Sequence, residues 1–152
     1  MRSLPLAAAA AVVLALSGCA SAVTLPPADD ASEPACAEVI VSLGEAIGDQ
    51  TLTAPLERRD TTGQGTAAFG NPSAVTLRCC MPEPAPSTAR CITVGEVDWL
   101  EVAAEDNVWT FVSYGRSPAT EVVIDTNAVS AVTALEGLSS AVARTDRTGA
   151  CS

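Results

Sequence analysis

The chain has 152 residues, with 18 acidic and 8 basic side chains, six cysteines and no histidine. This length fits a single domain with a tail. The absence of histidine excludes a Ser-His-Asp triad, a Cys-His pair and any zinc site built on imidazole. The formal net charge of -10, with arginine as the only basic residue, argues against nucleic-acid binding, because that affinity comes mainly from basic groups that neutralise phosphates.

The first eighteen residues have the pattern of a bacterial lipoprotein signal peptide. A positive start at Met1-Arg2 precedes an apolar run over residues 4–16, which is too short to span a bilayer. The run ends in Leu16-Ser17-Gly18-Cys19, which resembles a lipobox. This resemblance implies cleavage before Cys19 and a diacylglycerol thioether on its sulfur. We therefore expect the protein to be lipid-anchored on the outer face of the cytoplasmic membrane.

The segment that follows, residues 19–33, is rich in proline, alanine and acid and has no apolar periodicity. This composition is typical of a flexible tether. A single domain is then expected over residues 34–152.

The sequence of the first half of this domain predicts one helix and two strands. Apolar residues recur at helical spacing from Pro34 to Ile47, and Gly48 can close the helix. Threonines and glycines over residues 60–66 predict a loop, which we favour over an anion-binding cradle because the Gly-Lys-Ser/Thr of a P-loop is missing. Short strands are expected at residues 67–70 and 74–79.

The second half predicts a proline-rich irregular segment at 81–89, followed by strands and a helix. The strands are expected at residues 92–94, 97–102, 108–114 and 120–124, with a hairpin turn over residues 105–107. A helix is expected from Asn127 to about Ala143, with Gly137 as a break. The pattern predicts an α+β domain, in which a small, mostly antiparallel sheet carries an N-terminal and a C-terminal helix on one face.

The cysteines predict a domain stapled by disulfides. If the lipobox cysteine carries lipid, five thiols remain, which allows at most two bridges within the chain. We favour Cys79 with Cys91 and Cys36 with Cys151. Cys80 is an alternative partner for Cys91, and a vicinal Cys79–Cys80 ring also stays open, since connectivity cannot be deduced from sequence alone. Such bridges persist outside the cytoplasm.

Several short motifs resemble those of a known family. They are Thr61–Gly70, Leu77–Cys79, Val97–Trp99, Trp109, Tyr114–Pro118 and the terminal Cys151. With the lipobox, they make the chain similar to the actinobacterial lipoprotein family catalogued as domain of unknown function 3515. The resemblance implies a lipid-anchored envelope protein and carries no activity with it. A glycine or another small residue would be expected at position 80, which favours Cys80 as the unpaired thiol.

Four residues are candidate ligand contacts: Arg78, Arg116, Trp99 and Tyr114. A lone arginine in an acidic chain can recognise a carboxylate or phosphate, although a salt bridge to Glu121, Asp98 or another acid is the simpler interpretation. Exposed aromatic rings on a sheet make a platform for carbohydrate or peptide. Most aromatic residues of a small domain lie in its core.

Four acids near the predicted hairpin are the candidate carboxylates of an enzyme: Asp98, Glu101, Glu105 and Asp106. Their spacing does not match a calcium loop, and acids beside a hairpin turn usually face water. We expect no catalytic residue, cofactor or metal. The sequence thus favours a non-catalytic binding or interaction module in the cell-wall space, whose partner is an envelope protein or a cell-wall component. The alternative is a carboxylate-dependent enzyme that acts on cell-wall glycan or peptide.

Overall fold

The computed structural model describes residues 21–48 and 52–151, so the expected signal peptide and Cys19 lie outside the described residues. The described chain contains two helices, α1 (Pro34–Ser42) and α2 (Ala131–Val142). Its strands are β1 (Ala46–Ile47), β2 (Leu56–Arg59), β3 (Thr66–Phe69), β4 (Val75–Met81), β5 (Cys91–Val94), β6 (Val97–Glu105), β7 (Val108–Tyr114), β8 (Arg116–Ser117), β9 (Ala119–Asp125) and β10 (Asp146–Arg147).

Eight of these strands form one antiparallel sheet in the order β1-β2-β3-β4-β9-β7-β6-β5. The short strands β8 and β10 pair separately, also antiparallel. The predicted α+β class and the mostly antiparallel sheet are therefore confirmed.

Both helices pack on the same face of the sheet. Helix α1 contacts α2 and β4, and α2 contacts β1, β5 and β9. In a flat sheet of this order, β1 and β5 would lie about 34 Å apart, whereas α2 has 12 residues and is about 18 Å long. Because α2 reaches both edge strands, the sheet curves around it.

The hydrophobic core fills the space between the helices and this curved sheet. Strand β4 alternates buried Val75 and Leu77 with partly exposed Thr76 and Arg78, as the sequence predicted. The largest fully buried side chains from both layers include Val39, Leu77, Trp99, Phe111, Val122, Leu135 and Leu138.

The first helix is shorter than the predicted span of Pro34 to Ile47. It ends at Ser42 because Leu43 is extended, with φ -65° and ψ 139°. Ile47 instead lies in β1, opposite Leu56, and is 1% exposed. The apolar spacing was misleading because position 47 is buried whether it belongs to a helix or to a strand.

The second helix begins at Ala131, later than predicted, because Ser130 caps it by accepting a hydrogen bond of 3.0 Å from the Thr133 N–H. Gly137 does not break α2. A Cβ at this position would lie 3.2 Å from Ile47, so the glycine permits close approach of α2 to β1.

The expected hairpin is confirmed. Strands β6 and β7 pair along their length, and the turn is made by Asp106 and Asn107 with φ of 48° and 65°. Positive φ at both central positions is the geometry of the tight turn that best matches the twist of two strands.

Residues 21–33 differ from the free tether that we expected. The N–H of Val23 donates to the Asp60 carbonyl at 2.8 Å, and the Thr62 N–H donates to the Val23 carbonyl at 3.0 Å. Arg59 binds the Ser21 carbonyl at 2.9 Å. This segment therefore lies against the domain from Ser21 onward, because the backbone groups of the 60–62 loop pair with it.

Candidate functional site

A cavity of about 360 Å³ lies on the face of the sheet opposite the helices. Leu100 of β6 and Tyr114 of β7 supply its sheet wall, while Ser87 and Thr88 border it from the proline-rich segment. Its volume lies within the range of small-molecule sites. We define these residues, together with the Cys91–Cys151 pair, as the Tyr114 cavity.

The Tyr114 cavity exists because the C-terminus is held against β5. Cys91 and Cys151 form a disulfide with a Cα–Cα distance of 6.3 Å. The backbone N–H of Cys151 also donates to Asp98 Oδ2 at 2.9 Å. These two links place Ala150 and Cys151 at the wall of the cavity.

The cysteines therefore pair differently from our expectation of Cys79 with Cys91 and Cys36 with Cys151. Strands β4 and β5 are separated by three other strands in the sheet. This places Cys79 and Cys91 about 19 Å apart, far beyond the reach of a disulfide. The same distance removes Cys80 as a partner for Cys91.

Cys36 of α1 instead lies beside both vicinal cysteines of β4. Its Cα is 5.5 Å from that of Cys79 and 5.9 Å from that of Cys80. Both distances suit a disulfide, and one sulfur can bond only one of the two partners. All three side chains are buried. That Cys80 is the unpaired thiol stays a prediction.

A β-bulge brings Cys79 and Cys80 to the same side of β4. Cys79 pairs with Thr120 and Met81 with Ala119, so Cys80 is the extra residue. Its φ of 63° is left-handed, a conformation that favours glycine. Without the bulge, the alternation of a strand would direct the two sulfurs to opposite faces.

Asp98 has a lowered pKa at the edge of the cavity. Burial raises the pKa of this carboxyl. Hydrogen bonds from Thr93 and from the Cys151 backbone, together with the charges of Arg147 and Arg116, lower the pKa by more than burial raises it. The carboxylate is thus held in its charged form, in which it binds the C-terminal segment. It serves as an anchor for that segment rather than as a proton donor.

Of the four candidate ligand contacts, only Tyr114 borders the cavity. Trp99 is fully buried, and its Nε1 donates to Ser139 Oγ at 3.4 Å. The expectation that Trp99 contacts a ligand is therefore wrong, because its ring faces α2. Tyr114 is half-buried on the opposite face.

The two arginines are both occupied. Arg78 forms a salt bridge of 2.8 Å with Glu121, the partner suggested by the simpler interpretation. Arg116 is 8% exposed and donates to the carbonyls of Ala143, Thr145 and Glu96 at 3.0, 2.9 and 2.6 Å. It therefore satisfies two backbone carbonyls that follow α2 and one in the turn between β5 and β6, and it is not free to bind a ligand.

The candidate carboxylates do not form a catalytic pair. Glu101 bridges to Arg90 at 3.1 Å, and Glu105 and Asp106 are exposed at the hairpin turn. No aspartate or glutamate is buried among residues 21–48 and 52–151.

The threonine- and glycine-rich loop is structural. The hydroxyls of Thr61 and Thr66 bond each other at 2.8 Å, and Thr61 also donates to the Thr66 carbonyl at 3.1 Å. A Cβ at Gly63 would clash with the Leu25 carbonyl, so the glycine lets residues 21–33 cross the loop. The hydroxyls of Thr61 and Thr66 and the N–H of Thr62 thus serve the fold, as expected for a structural loop.

Sequence reasoning missed Ser87 and Thr88, which border the cavity. They lie in the proline-rich segment, which predicts an irregular chain and nothing about where that chain packs. Knowledge of the Cys91–Cys151 disulfide would have indicated where Ser87 and Thr88 lie, but disulfide connectivity cannot be deduced from the spacing of cysteines.

The described chain is thus a small disulfide-bonded α+β domain whose sheet has one face covered by helices and the other partly open. The family model described as "Protein of unknown function (DUF3515)" matches residues 4–150, and the chain belongs to this family. No curated protein and no solved structure gives a significant match. Over the described ranges, no helix has both the length and the hydropathy to cross a bilayer.

Proposed function

We propose that this protein is a lipid-anchored, non-catalytic binding module of the cell envelope, and that it binds a neutral, polar segment of a cell-wall glycan in the Tyr114 cavity. The observation that carries the binding role is the cavity itself. An aromatic ring and two hydroxyl-bearing residues meet there on the open face of the sheet. Aromatic rings and hydroxyl groups are the side chains that contact sugar faces and sugar hydroxyls.

The charges beside the cavity support an uncharged ligand. Asp98 is occupied by Thr93 and the Cys151 backbone, and Arg90 is occupied by Glu101. These two neighbours therefore offer no unpaired basic group to an anionic ligand. The hydroxyls of Ser87, Thr88 and Tyr114 can both donate and accept hydrogen bonds, which suits an uncharged polar ligand.

The anchored location rests on the lipobox and on the cysteines. A diacylglycerol on Cys19 supplies the two acyl chains that stable attachment requires. Disulfides such as Cys91–Cys151 persist on the outer side of the membrane.

The absence of a buried carboxylate over the described residues supports binding rather than hydrolysis. Glycoside hydrolysis requires two carboxyl groups across the scissile bond, one of them with a raised pKa. The pKa of Glu83 and the pKa of Asp98 are both lowered from their ordinary values.

Binding is tested by calorimetric titration of the purified protein with soluble, uncharged cell-wall glycan fragments. Tyr114→Ala should weaken the affinity at least about tenfold by removing the ring, as expected for an aromatic contact. Tyr114→Phe should retain most of the affinity. Trp109→Phe, which alters a half-buried aromatic residue away from the cavity, is the control. Equal affinity for wild type and Tyr114→Ala would refute the site.

The anchor is tested separately by growing cells with radiolabelled palmitate. The wild-type protein should be labelled and should partition into detergent, whereas Cys19→Ala should be unlabelled. Equal labelling of both forms would contradict lipidation at Cys19 without affecting the cavity.

A further inference from the structure

We propose that Cys36, Cys79 and Cys80 form a thiol–disulfide exchange site that reacts, through Cys80, with small disulfides carrying positive charge. The site shares no residue with the Tyr114 cavity and does not depend on the proposed glycan binding. Its basis is that three buried sulfurs meet while only two can be bonded at a time.

The geometry offers Cys36 two partners at similar distances. The Cα–Cα distances of 5.5 Å to Cys79 and 5.9 Å to Cys80 both lie within the range of native disulfides. The bond can therefore move between the two partners without a displacement of α1 from β4. The third thiol is always adjacent to the bond, as exchange requires.

The two partners are both buried but differ in their surroundings. Cys79 is fully buried, and Thr120 Oγ1 donates to its sulfur at 3.8 Å. Cys80 lies at the meeting point of two clefts of about 240 and 280 Å³, which also share Asp30, Met81 and Pro82. An external reagent thus reaches Cys80 first.

Acidic side chains border both clefts. Glu33 and Glu83 lie on one, Asp29 on the other, and Asp30 on both. The one basic residue of the clefts, Arg78, is paired with Glu121. A positively charged reagent is therefore attracted and a negatively charged one repelled.

The reaction conserves atoms and electrons. When Cys36 is bonded to Cys79, the Cys80 thiol loses its proton to solvent and its thiolate attacks one sulfur of a disulfide R–S–S–R. A Cys80–S–R bond forms as the S–S bond of the reagent breaks, and the other half of the reagent leaves as RS⁻, which takes up a proton. When Cys36 is bonded to Cys80, the Cys79 thiolate attacks the Cys36 sulfur and releases Cys80 as the thiolate, so internal exchange resupplies the reactive form.

The shared bond is tested by peptide mapping. Trypsin cleaves this chain only after arginine, so Cys79 and Cys80 lie together on peptide 79–90, and Cys36 lies on a peptide that ends at Arg58. The disulfide between these peptides should persist in Cys79→Ser and in Cys80→Ser and disappear in the double variant. Loss of the link in either single variant would overturn the exchange.

The charge preference is tested with two probes, cationic cystamine and anionic 3,3′-dithiodipropionate. Both should modify Cys80 and not Cys79, as located by fragmentation of peptide 79–90. Because the two leaving groups differ intrinsically, the measured quantity is the rate with cystamine divided by the rate with 3,3′-dithiodipropionate. At low ionic strength, this ratio should fall about fivefold in Asp30→Asn/Glu33→Gln, whose altered side chains are exposed.

A matched control removes the same charge elsewhere, in Glu105→Gln/Asp106→Asn at the hairpin turn, where both side chains are exposed. This variant should keep the wild-type ratio. Modification at Cys79, no modification at all, or the same change of ratio in both variants would overturn the proposal.

Discussion

The carboxylate of Asp98 accepts a hydrogen bond of 2.9 Å from the backbone N–H of Cys151, which is 53 positions away in the chain. The C-terminus is thereby linked to β6 by a charged acceptor as well as to β5 by a disulfide. Both links position the wall of the Tyr114 cavity, so its shape depends on chain segments that are distant in sequence.

The lowered pKa of Asp98 predicts a pH dependence of stability. A carboxyl with a lower pKa in the folded than in the unfolded state stabilises the fold above its unfolded value, and this contribution is lost as pH falls through the folded pKa. Between about pH 5 and about pH 3, wild type should therefore lose more free energy of unfolding than Asp98→Asn. Urea denaturation of both proteins at the two pH values measures the difference, and parallel losses would contradict it.

Removing Arg116 should strongly destabilise the fold. Arg116→Met leaves the buried or partly buried hydrogen bonds to the carbonyls of Ala143, Thr145 and Glu96 without their donor. We expect a loss of about 2–4 kcal/mol in the free energy of unfolding. Arg144→Met, at an exposed position, should lose less than about 0.5 kcal/mol. Similar denaturation midpoints for the two variants would show that the buried guanidinium is dispensable.

Breaking the Cys91–Cys151 bridge should lower stability by about 2–4 kcal/mol, since the bridge closes a long loop of the unfolded chain. Cys91→Ser, Cys151→Ser and the double variant should be equally affected, because each lacks the same bond. Thermal unfolding with and without reductant checks this. Reductant should remove the stabilisation by this bridge from the wild type and not from the variants, because the variants already lack the bond. A single variant with wild-type stability would argue against the pairing.

Gly115→Ala should cost about 1–3 kcal/mol of the free energy of unfolding. Gly115 has φ of 61°, and an added Cβ would collide with the backbone of Gly149. Gly44→Ala is the matched control, because its Cβ would meet its nearest atom at an ordinary 3.5 Å. Denaturant unfolding distinguishes the two, and equal midpoints would contradict the collision.

The elements that the sequence predicted well are those with a local cause. The β6–β7 hairpin follows from two apolar strands around Asp106 and Asn107, which tolerate positive φ. Strand β4 follows from its alternation of buried and partly exposed side chains. In each case the deciding residues are close neighbours in the chain.

What was missed depends on distant contacts. The two-residue strands β1, β8 and β10 are too short to show a period, and they exist only through their partners. The cysteine pairing depends on strand order, which places Cys79 far from Cys91. The bulge at Cys80 places a cysteine in a conformation typical of glycine, against its local preference.

The hydrogen bonds between Val23 and the 60–62 loop hold the chain against the domain a few residues after the proposed attachment point at Cys19. If Cys19 carries the proposed lipid, only two residue steps, about 7 Å of chain, separate it from Ser21, which is already bound to Arg59. The domain then rests on the lipid headgroups, with the loop end turned toward them. A domain of this size is about 35 Å across, so its reach is limited to molecules within that distance of the bilayer.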